Sequence, residues 1–174
     1  MGAKQQGADL NVGRWLVMPR TLSFVFNGDD VLLLKRAAHR RVFPNKFNGL
    51  GGHVERDEDP ATSALREIEE ESGLRAHSLQ LRSIHNIDAG GESGILLFVY
   101  TAISDTRALR EDCPEGTLAW ISKDRVLDLD LVEDLPELLA RIFAMNDNQP
   151  PLHARVSYDC NDRIVLRFQG DESR

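Results

Sequence analysis

Apolar residues are grouped along the chain in short runs separated by polar, glycine-containing turns, a pattern typical of β-strands joined by hairpins. Residues 20–26 and 31–37 predict two strands, because the Asn-Gly-Asp-Asp segment between them is a strong hairpin signal. Similar runs predict strands at residues 79–88, 94–103 and 117–122. Residues 152–159 and 163–169 flank an Asn-Asp turn and predict a terminal hairpin.

Two segments have the periodicity of helices instead. The first is expected to start after Asp59 as N-cap, with Pro60 in the first turn, and to stop at Gly73. One face of this helix holds its small and aliphatic residues, Ala61, Ala64, Leu65 and Ile68. The opposite face holds three carboxylates, Glu67, Glu70 and Glu71. A second helix is predicted within residues 132–145, where apolar residues recur at helical spacing.

Strands that precede and follow a helix, mostly joined by hairpins, predict an α+β fold with a mixed sheet. We interpret residues 1–174 as one domain, since a chain of this length buries a core of its own. Residues 1–13 are polar and are expected to form a loose lead-in. Residues 150–174 carry the terminal hairpin, which we assign to the same domain because two strands alone are marginally stable.

Composition narrows the classes of partner. The formal charge of −7 argues against binding of nucleic acid polymers, although bound cations would still allow a phosphorylated small molecule. No apolar run approaches the roughly 20 residues of a membrane span, and the N-terminus lacks a signal-peptide pattern. Cys113 and Cys160 form neither a metal-ligand pattern nor a disulfide framework, which favours the cytoplasm. His53, His85 and His153 also lack metal-ligand spacing and are expected at the surface or in satisfied polar positions.

The acidic face of the first helix has two interpretations. It is either a solvated surface or a site for a divalent cation. Glu67 and Glu71 repel each other at i,i+4 spacing, and Glu70 and Glu71 lie in the last turn, where the helix dipole disfavours negative charge. A hard cation such as Mg²⁺, bound through the carboxylate oxygens, would offset both the repulsion and the unfavourable interaction with the helix dipole.

A glycine-rich turn precedes this helix at Gly49, Gly51 and Gly52. Glycine lets the backbone turn tightly and approach a ligand closely, so carbonyls there can bind a cation and N–H groups can bind phosphate. A plain turn or bulge is the alternative.

Together these residues resemble the Nudix hydrolase signature, G-x5-E-x7-R-E-U-x-E-E-x-G-U, in which U is a bulky aliphatic residue. Five residues separate Gly52 from Glu58, and seven separate Glu58 from Arg66, which opens the run Arg-Glu-Ile-Glu-Glu-Glu-Ser-Gly-Leu to Leu74. Every specified position is filled. The resemblance implies an α/β/α sandwich around the mixed sheet, and hydrolysis of a nucleoside diphosphate linked to another group with Mg²⁺ or Mn²⁺.

By the same resemblance, Glu70 and Glu71 are the expected principal metal ligands, and Glu67 a further ligand or the general base. Arg66 is similar to the arginine that orients the glutamates, and Glu58 has a structural or outer-sphere part. The carbonyl of Gly51 would complete the metal shell. Family members often add an acid from a later loop, for which Glu115 is our candidate, with Glu111 and Asp112 as rivals.

Outside the signature, the chain is most similar to the MutT-like group that acts on 8-oxo-dGTP. Asn48 is expected to hydrogen-bond a purine edge, unless it merely forms the turn. Asp134 resembles an acid that touches the base in some members, unless it is only a helix-start residue. Gly52 is expected to present its backbone to phosphate oxygens.

The expected reaction is attack of metal-activated water on phosphorus, releasing a nucleoside monophosphate and pyrophosphate. Two alternatives stay open. One is hydrolysis of another nucleotide- or sugar-linked diphosphate, and the other is a non-catalytic nucleotide-binding module of the same fold. The expected partner is a small diphosphate, bound by a monomer or a homodimer.

Overall fold

The sheet is mixed, as predicted. A computed structural model describes residues 13–171. The elements are β1 Leu16–Asn27, β2 Asp30–Arg36, β3 Phe47–Asn48, α1 Pro60–Ser72, β4 His77–Ile87, β5 Ser93–Ile103, β6 Gly116–Ser122, α2 Leu135–Ala144, β7 Leu152–Tyr158 and β8 Ile164–Phe168. The strands lie in the order β3–β2–β1–β5–β4–β7–β8, and β6 also pairs with β2. Two neighbouring pairs are parallel, β1 with β5 and β4 with β7, and the others are antiparallel.

The two helices cover opposite faces of this sheet, which confirms the predicted α+β sandwich. Ile68 of α1 packs with Val25 of β1 and Leu32 of β2 in one core. Leu138 of α2 packs with Phe24 of β1 in the other, because successive side chains of a strand point to opposite faces. Helix α1 therefore lies over one face and α2 over the other.

Helix α1 has the predicted boundaries. The Asp59 carboxylate accepts hydrogen bonds from the backbone N–H groups of Ala61 at 2.8 Å and Thr62 at 3.0 Å, which makes it the N-cap. Gly73 takes the left-handed conformation with φ of 77° and donates its N–H to the carbonyl of Glu69, ending the helix. These two caps hold the carboxylate-bearing face at a defined position.

The terminal hairpin is confirmed, and it extends the main sheet. Its strands β7 and β8 are antiparallel, and β7 adds in parallel to β4. Ala154 and Phe168 from this hairpin are buried in the same core as α2. The hairpin therefore contributes to the core beneath α2.

Three details differ from the sequence expectations. Strand β1 begins at Leu16, before the predicted residue 20, because it continues along β5 from Ser93. The short strand β3 is not among the predicted strands, and it forms because Phe47 and Asn48 pair with β2. The expectation for His85 was wrong, since its ring is fully buried and neither nitrogen has a hydrogen-bond partner.

The lead-in predicted for residues 1–13 lies outside the described residues, apart from Gly13. Between residues 13 and 171, no helix is both long enough and apolar enough to cross a membrane.

Candidate functional site

The Arg66 guanidinium joins three carboxylates of the candidate site. It donates to both Glu58 oxygens, at 2.6 and 3.0 Å, and to Glu67 at 2.9 Å and Glu70 at 3.0 Å. It also donates to the carbonyl of His53 at 3.1 Å, which ties α1 to the glycine turn. These hydrogen bonds from Arg66 lower the pKa of Glu58 to about 2. The orienting role expected of Arg66 is consistent with this geometry and stays a prediction.

The carboxylate of Glu71 lies apart from that network, against the glycine turn. It accepts a hydrogen bond of 2.9 Å from the backbone N–H of Gly51. Burial raises the pKa of Glu71 to about 7, and the negative charges of Glu67 and Glu115 add to the rise. The Gly51 N–H and the positive charge of Arg36 act in the opposite direction. Glu71 is thus a half-buried carboxylate for which a nearby positive charge would be favourable.

The glycine turn is fixed by pairing with β1. Gly52 accepts from the N–H of Thr21 at 2.9 Å, and Leu50 exchanges two backbone hydrogen bonds with Ser23. A Cβ atom on Gly52 would lie 2.4 Å from Oε1 of Glu67. Only a residue without a side chain allows the Glu67 carboxylate to come so close to the turn. The turn and the acidic face of α1 therefore border one common space.

Glu115 lies next to this space, and its role as a metal ligand stays a prediction. It forms an ion pair of 2.7 Å with Arg40, and its charge contributes to the raised pKa of Glu71. The rivals Glu111 and Asp112 are both exposed, whereas Glu115 is half-buried. The structure therefore brings Glu115, of these three acids, to the carboxylate cluster.

Asn48 and Asp134 belong to segments that meet through backbone hydrogen bonds. Phe47, which precedes Asn48, accepts from the N–H of Val132 at 3.0 Å, two residues before Asp134. The Asn48 side-chain oxygen accepts a hydrogen bond from the N–H of Gly49 at 2.9 Å, so part of the hydrogen-bonding capacity of Asn48 is used within the turn. Asp134 precedes α2 without capping it, and burial raises its pKa. Both residues stay candidates for base recognition.

The sequence analysis missed three arginines around the carboxylates. Arg36 is the last residue of β2 and Arg40 lies in the loop that follows, and this run of basic residues in an acidic protein was a usable signal. Arg110 donates its backbone N–H to the carbonyl of Ser72 at 2.9 Å, and its guanidinium donates to the carbonyl of Glu70. No local pattern in the sequence indicates that Arg110 caps the end of α1.

The carboxylates suit a hard divalent cation by their chemistry, because such cations bind oxygen ligands. Within residues 13–171, however, no three His, Cys, Asp or Glu side chains are already gathered around one metal position. Ion pairs with arginine account for this separation of the carboxylates, since Arg66 holds Glu67 and Glu70 while Glu115 is paired with Arg40. Metal binding would therefore require some of these carboxylates to turn from arginine towards the cation.

Known proteins share the family and the fold of this chain. The family model described as the NUDIX domain matches residues 17–142. The fold is similar to that of a MutT protein from Bacillus halodurans, with a TM-score of 0.76, 22% identity, and coverage of 89% of this chain and 99% of that one. It is also similar to a MutT protein from Methanosarcina mazei Go1, with a TM-score of 0.61, 19% identity, and coverage of 76% and 99%. At these identities, the likeness concerns the fold.

Among curated proteins, the m7GpppN-mRNA hydrolase NUDT17 of Xenopus laevis is 47% identical over 45 residues. That match spans 26% of this chain and 15% of the relative's length. Because the family model covers most of the chain, the protein belongs to the Nudix hydrolases, which act on pyrophosphate bonds of nucleoside diphosphate derivatives and generally use divalent cations.

Proposed function

We propose that the protein is a Mg²⁺-dependent hydrolase of nucleoside di- or triphosphates, with 8-oxo-dGTP or another deoxynucleoside triphosphate as substrate. The products are a nucleoside monophosphate and either pyrophosphate, from a triphosphate, or phosphate, from a diphosphate. The observation that carries the proposal is the contact between the glycine turn and α1. Glu71 accepts a hydrogen bond from the Gly51 N–H, and the Glu67 carboxylate lies against Gly52.

Mg²⁺, or Mn²⁺ in its place, would be held by carboxylates of Glu67, Glu70, Glu71 and Glu115 and by the carbonyl of Gly51. When bound, such a cation neutralises phosphate charge and lowers the pKa of a coordinated water. The half-buried carboxylate of Glu71 supports this assignment, since the partial loss of solvent makes its negative charge less favourable without a positive partner.

The chain's own residues orient the reacting groups. Arg66 holds Glu67 and Glu70 on one side of α1, and its contact with Glu58 anchors the guanidinium itself. In our proposal Glu67 accepts the proton of the attacking water, because its carboxylate lies directly against the turn at Gly52. The backbone at Gly52 would contact phosphate oxygens of the substrate.

We assign recognition of the substrate's nucleobase to Asn48 and Asp134. The backbone contact between Phe47 and Val132 supports this assignment, because it keeps both residues at one end of α2. An amide and a carboxyl group together offer donors and acceptors to a purine edge. Burial raises the pKa of Asp134, so its negative charge is less favourable there than in water.

A second candidate substrate is another nucleotide-linked diphosphate. The relative NUDT17 is named as an mRNA cap hydrolase, and its 45-residue match is what favours testing this class. A capped dinucleotide therefore belongs in the same substrate panel.

The test is a panel of nucleotides assayed with Mg²⁺ for release of phosphate, pyrophosphate or nucleoside monophosphate. It includes 8-oxo-dGTP, the ordinary deoxynucleoside triphosphates, a sugar nucleotide and a capped dinucleotide. We expect the highest kcat/KM for a nucleoside triphosphate, with pyrophosphate as product. Tight nucleotide binding without turnover of any diphosphate would instead identify a non-catalytic binding module.

For the metal ligands, we expect Glu70→Gln and Glu71→Gln each to lower kcat by on the order of 10²-fold or more, because each removes a carboxylate from the cation. Glu69→Gln is the matched control. Glu69 lies on the same helix but pairs with the exposed Arg75 at 3.3 Å, so its variant should retain wild-type kcat. Near-normal rates in both Glu70→Gln and Glu71→Gln would refute the assignment.

A further inference from the structure

A cavity of about 500 Å³ lies at the C-terminal end of α2, away from the carboxylate cluster. It is lined by residues from the end of β1, the first half of β4, the end of β5 and the end of α2, and by residues that follow β1, β6 and α2. None of the residues assigned above to metal, base or phosphate lines it. A ligand in this cavity would therefore occupy a site separate from the proposed active site.

The cavity wall contains a buried arginine with weak charge compensation. Arg82 is 8% exposed and donates to the Thr101 hydroxyl at 2.9 Å and to the Asn146 carbonyl at 3.1 Å. The carboxylate paired with it, from Asp147, is 3.4 Å away on a side chain that is 87% exposed. A guanidinium offers five N–H donors, so capacity is left for another acceptor. Because a buried charge is costly without close compensation, an anion beside Arg82 would be favourable.

A second cation lines the same cavity. The Lys123 ammonium lies 5.0 Å from the centre of the Phe26 ring. Its acidic neighbour Asp29 is 3.8 Å away and 96% exposed, which makes a weak pair. Two cations and the single carboxylate of Asp147 therefore line the cavity of a protein whose overall charge is −7.

The remaining wall is largely apolar. Phe26 and Phe143 meet edge to face with ring centres 6.2 Å apart, and Met145 lies beside them. Ile103 of β5, the register partner of Phe26, is 44% exposed. Aromatic and thioether side chains of this kind pack well against a planar or aliphatic group.

Backbone strain marks the same place. Ser78 has a φ of +53°, in the left-handed region that residues with a side chain seldom adopt, and the pairing of β4 with β5 shifts register between His77 and Gln80. Bulges and strained residues of this type occur often at binding sites. Ser78 and Gln80 both line the cavity.

We propose that this cavity binds a small amphipathic organic anion. Its phosphate or carboxylate lies against Arg82 and Lys123, and its apolar body packs between Phe26, Phe143 and Met145. The proposal goes beyond the hydrolase activity and is independent of it, because it requires neither a metal nor the carboxylates of α1.

The test uses phenyl phosphate as the probe, with ¹⁵N-labelled full-length protein in EDTA so that no metal holds the probe at the carboxylate cluster. We expect chemical-shift changes at the amides of residues around the cavity, with a Kd of about 1 mM or below, as suits a fragment of this size. Inorganic phosphate and benzyl alcohol should each bind at least about tenfold more weakly. Benzoate, run in parallel, shows whether the cavity favours carboxylate or phosphate.

Ile103 offers a matched pair of variants, because its exposed side chain tolerates a polar replacement. Ile103→Glu places a negative charge at the cavity and should weaken the binding of phenyl phosphate about tenfold relative to Ile103→Gln. Leu127→Glu, which makes the same charge change at a residue that is 50% exposed and does not line the cavity, should bind as wild type does.

Three results would overturn the proposal. The first is no shift around the cavity at about 10 mM phenyl phosphate, roughly ten times the expected Kd. The second is a set of shifts confined to the glycine turn and α1. The third is equal affinity in Ile103→Glu and Ile103→Gln. Because turnover is not measured, failure here leaves the proposed hydrolysis standing, and failure of the nucleotide panel leaves this site standing.

Discussion

Gly51 and Gly52 are adjacent, but a side chain at each would meet a different kind of neighbour. A Cβ on Gly52 would lie 2.4 Å from the carboxylate oxygen of Glu67. A Cβ on Gly51 would lie 2.2 Å from the backbone carbonyl oxygen of Thr21, and Gly51 has a φ of +146°. A carboxylate can swing away from such a clash, whereas a strand backbone cannot without losing its pairing. Glycine at position 51 is therefore needed for the fold, whereas glycine at position 52 is needed for the position of the Glu67 carboxylate.

We accordingly expect Gly52→Ala to lower kcat by on the order of 10²-fold, because displacement of a reacting group by about 1 Å is enough for such a loss. Its free energy of unfolding should change by less than about 1 kcal/mol. Gly51→Ala should instead lower the free energy of unfolding by about 2 kcal/mol or more. Urea denaturation and steady-state kinetics measure both. Wild-type kcat in a folded Gly52→Ala protein would contradict the role given to Glu67.

At the scale of elements, the terminal hairpin of β7 and β8 lies beyond the residues that the family model matches, yet it contributes to the core. Phe168 is 2% exposed, its ring lies under the Arg141 guanidinium at 4.1 Å, and it meets the His85 ring edge to face. Arg141 also pairs with Asp171 at 2.8 Å, just after the hairpin. We infer from these contacts that the hairpin and the rest of the chain form one domain.

Phe168→Ala tests that inference. Loss of a buried aromatic side chain should lower the free energy of unfolding by roughly 3–5 kcal/mol in a urea titration. Tyr158→Ala serves as the control, because Tyr158 lies on the same hairpin but is 39% exposed, so its loss should cost less than about 1 kcal/mol. A Phe168→Ala variant as stable as the control would show that the hairpin is peripheral.

For the molecule as a whole, the buried ring of His85 links stability to pH. The ring is fully buried without hydrogen-bond partners, and burial lowers its pKa from 6.5 to about 4. Below pH 6.5 the unfolded chain gains a proton at His85, whereas the folded protein resists protonation until about pH 4. The stability contributed by this histidine is therefore present above pH 6.5 and is lost as the pH falls through this range.

The expected size of that loss is about 2 kcal/mol between pH 7 and pH 5. In His85→Leu, the difference in unfolding free energy between these two pH values should shrink by this amount, because the buried titrating group is gone. His153→Leu is the control, since His153 is exposed on the neighbouring strand β7. Urea titrations of the three proteins at both pH values provide the measurement. An unchanged pH dependence in His85→Leu would contradict the buried, neutral state of this ring.

Local patterns determined much of this molecule in advance. Helix α1 has its caps at Asp59 and Gly73, and both hairpins turn where their Asn-containing segments indicated. The Nudix signature likewise identified the acids of α1 and the glycines of the turn. These features are predictable because capping, turn formation and helical spacing act between residues close together in the chain.

Tertiary structure alone decided the features that join distant segments. It placed β1 beside β5 and β4 beside β7, buried His85, and paired Arg40 with Glu115 across 75 positions of the chain (115 − 40). It also assembled the cavity around Arg82 from β1, β4, β5, α2 and the segment that follows β6. The physical reason is that parallel pairing, burial and long-range ion pairs depend on which surfaces meet once the sheet has formed. The sequence by itself therefore determined the parts of the carboxylate site, while the tertiary structure decided the neighbours of those parts.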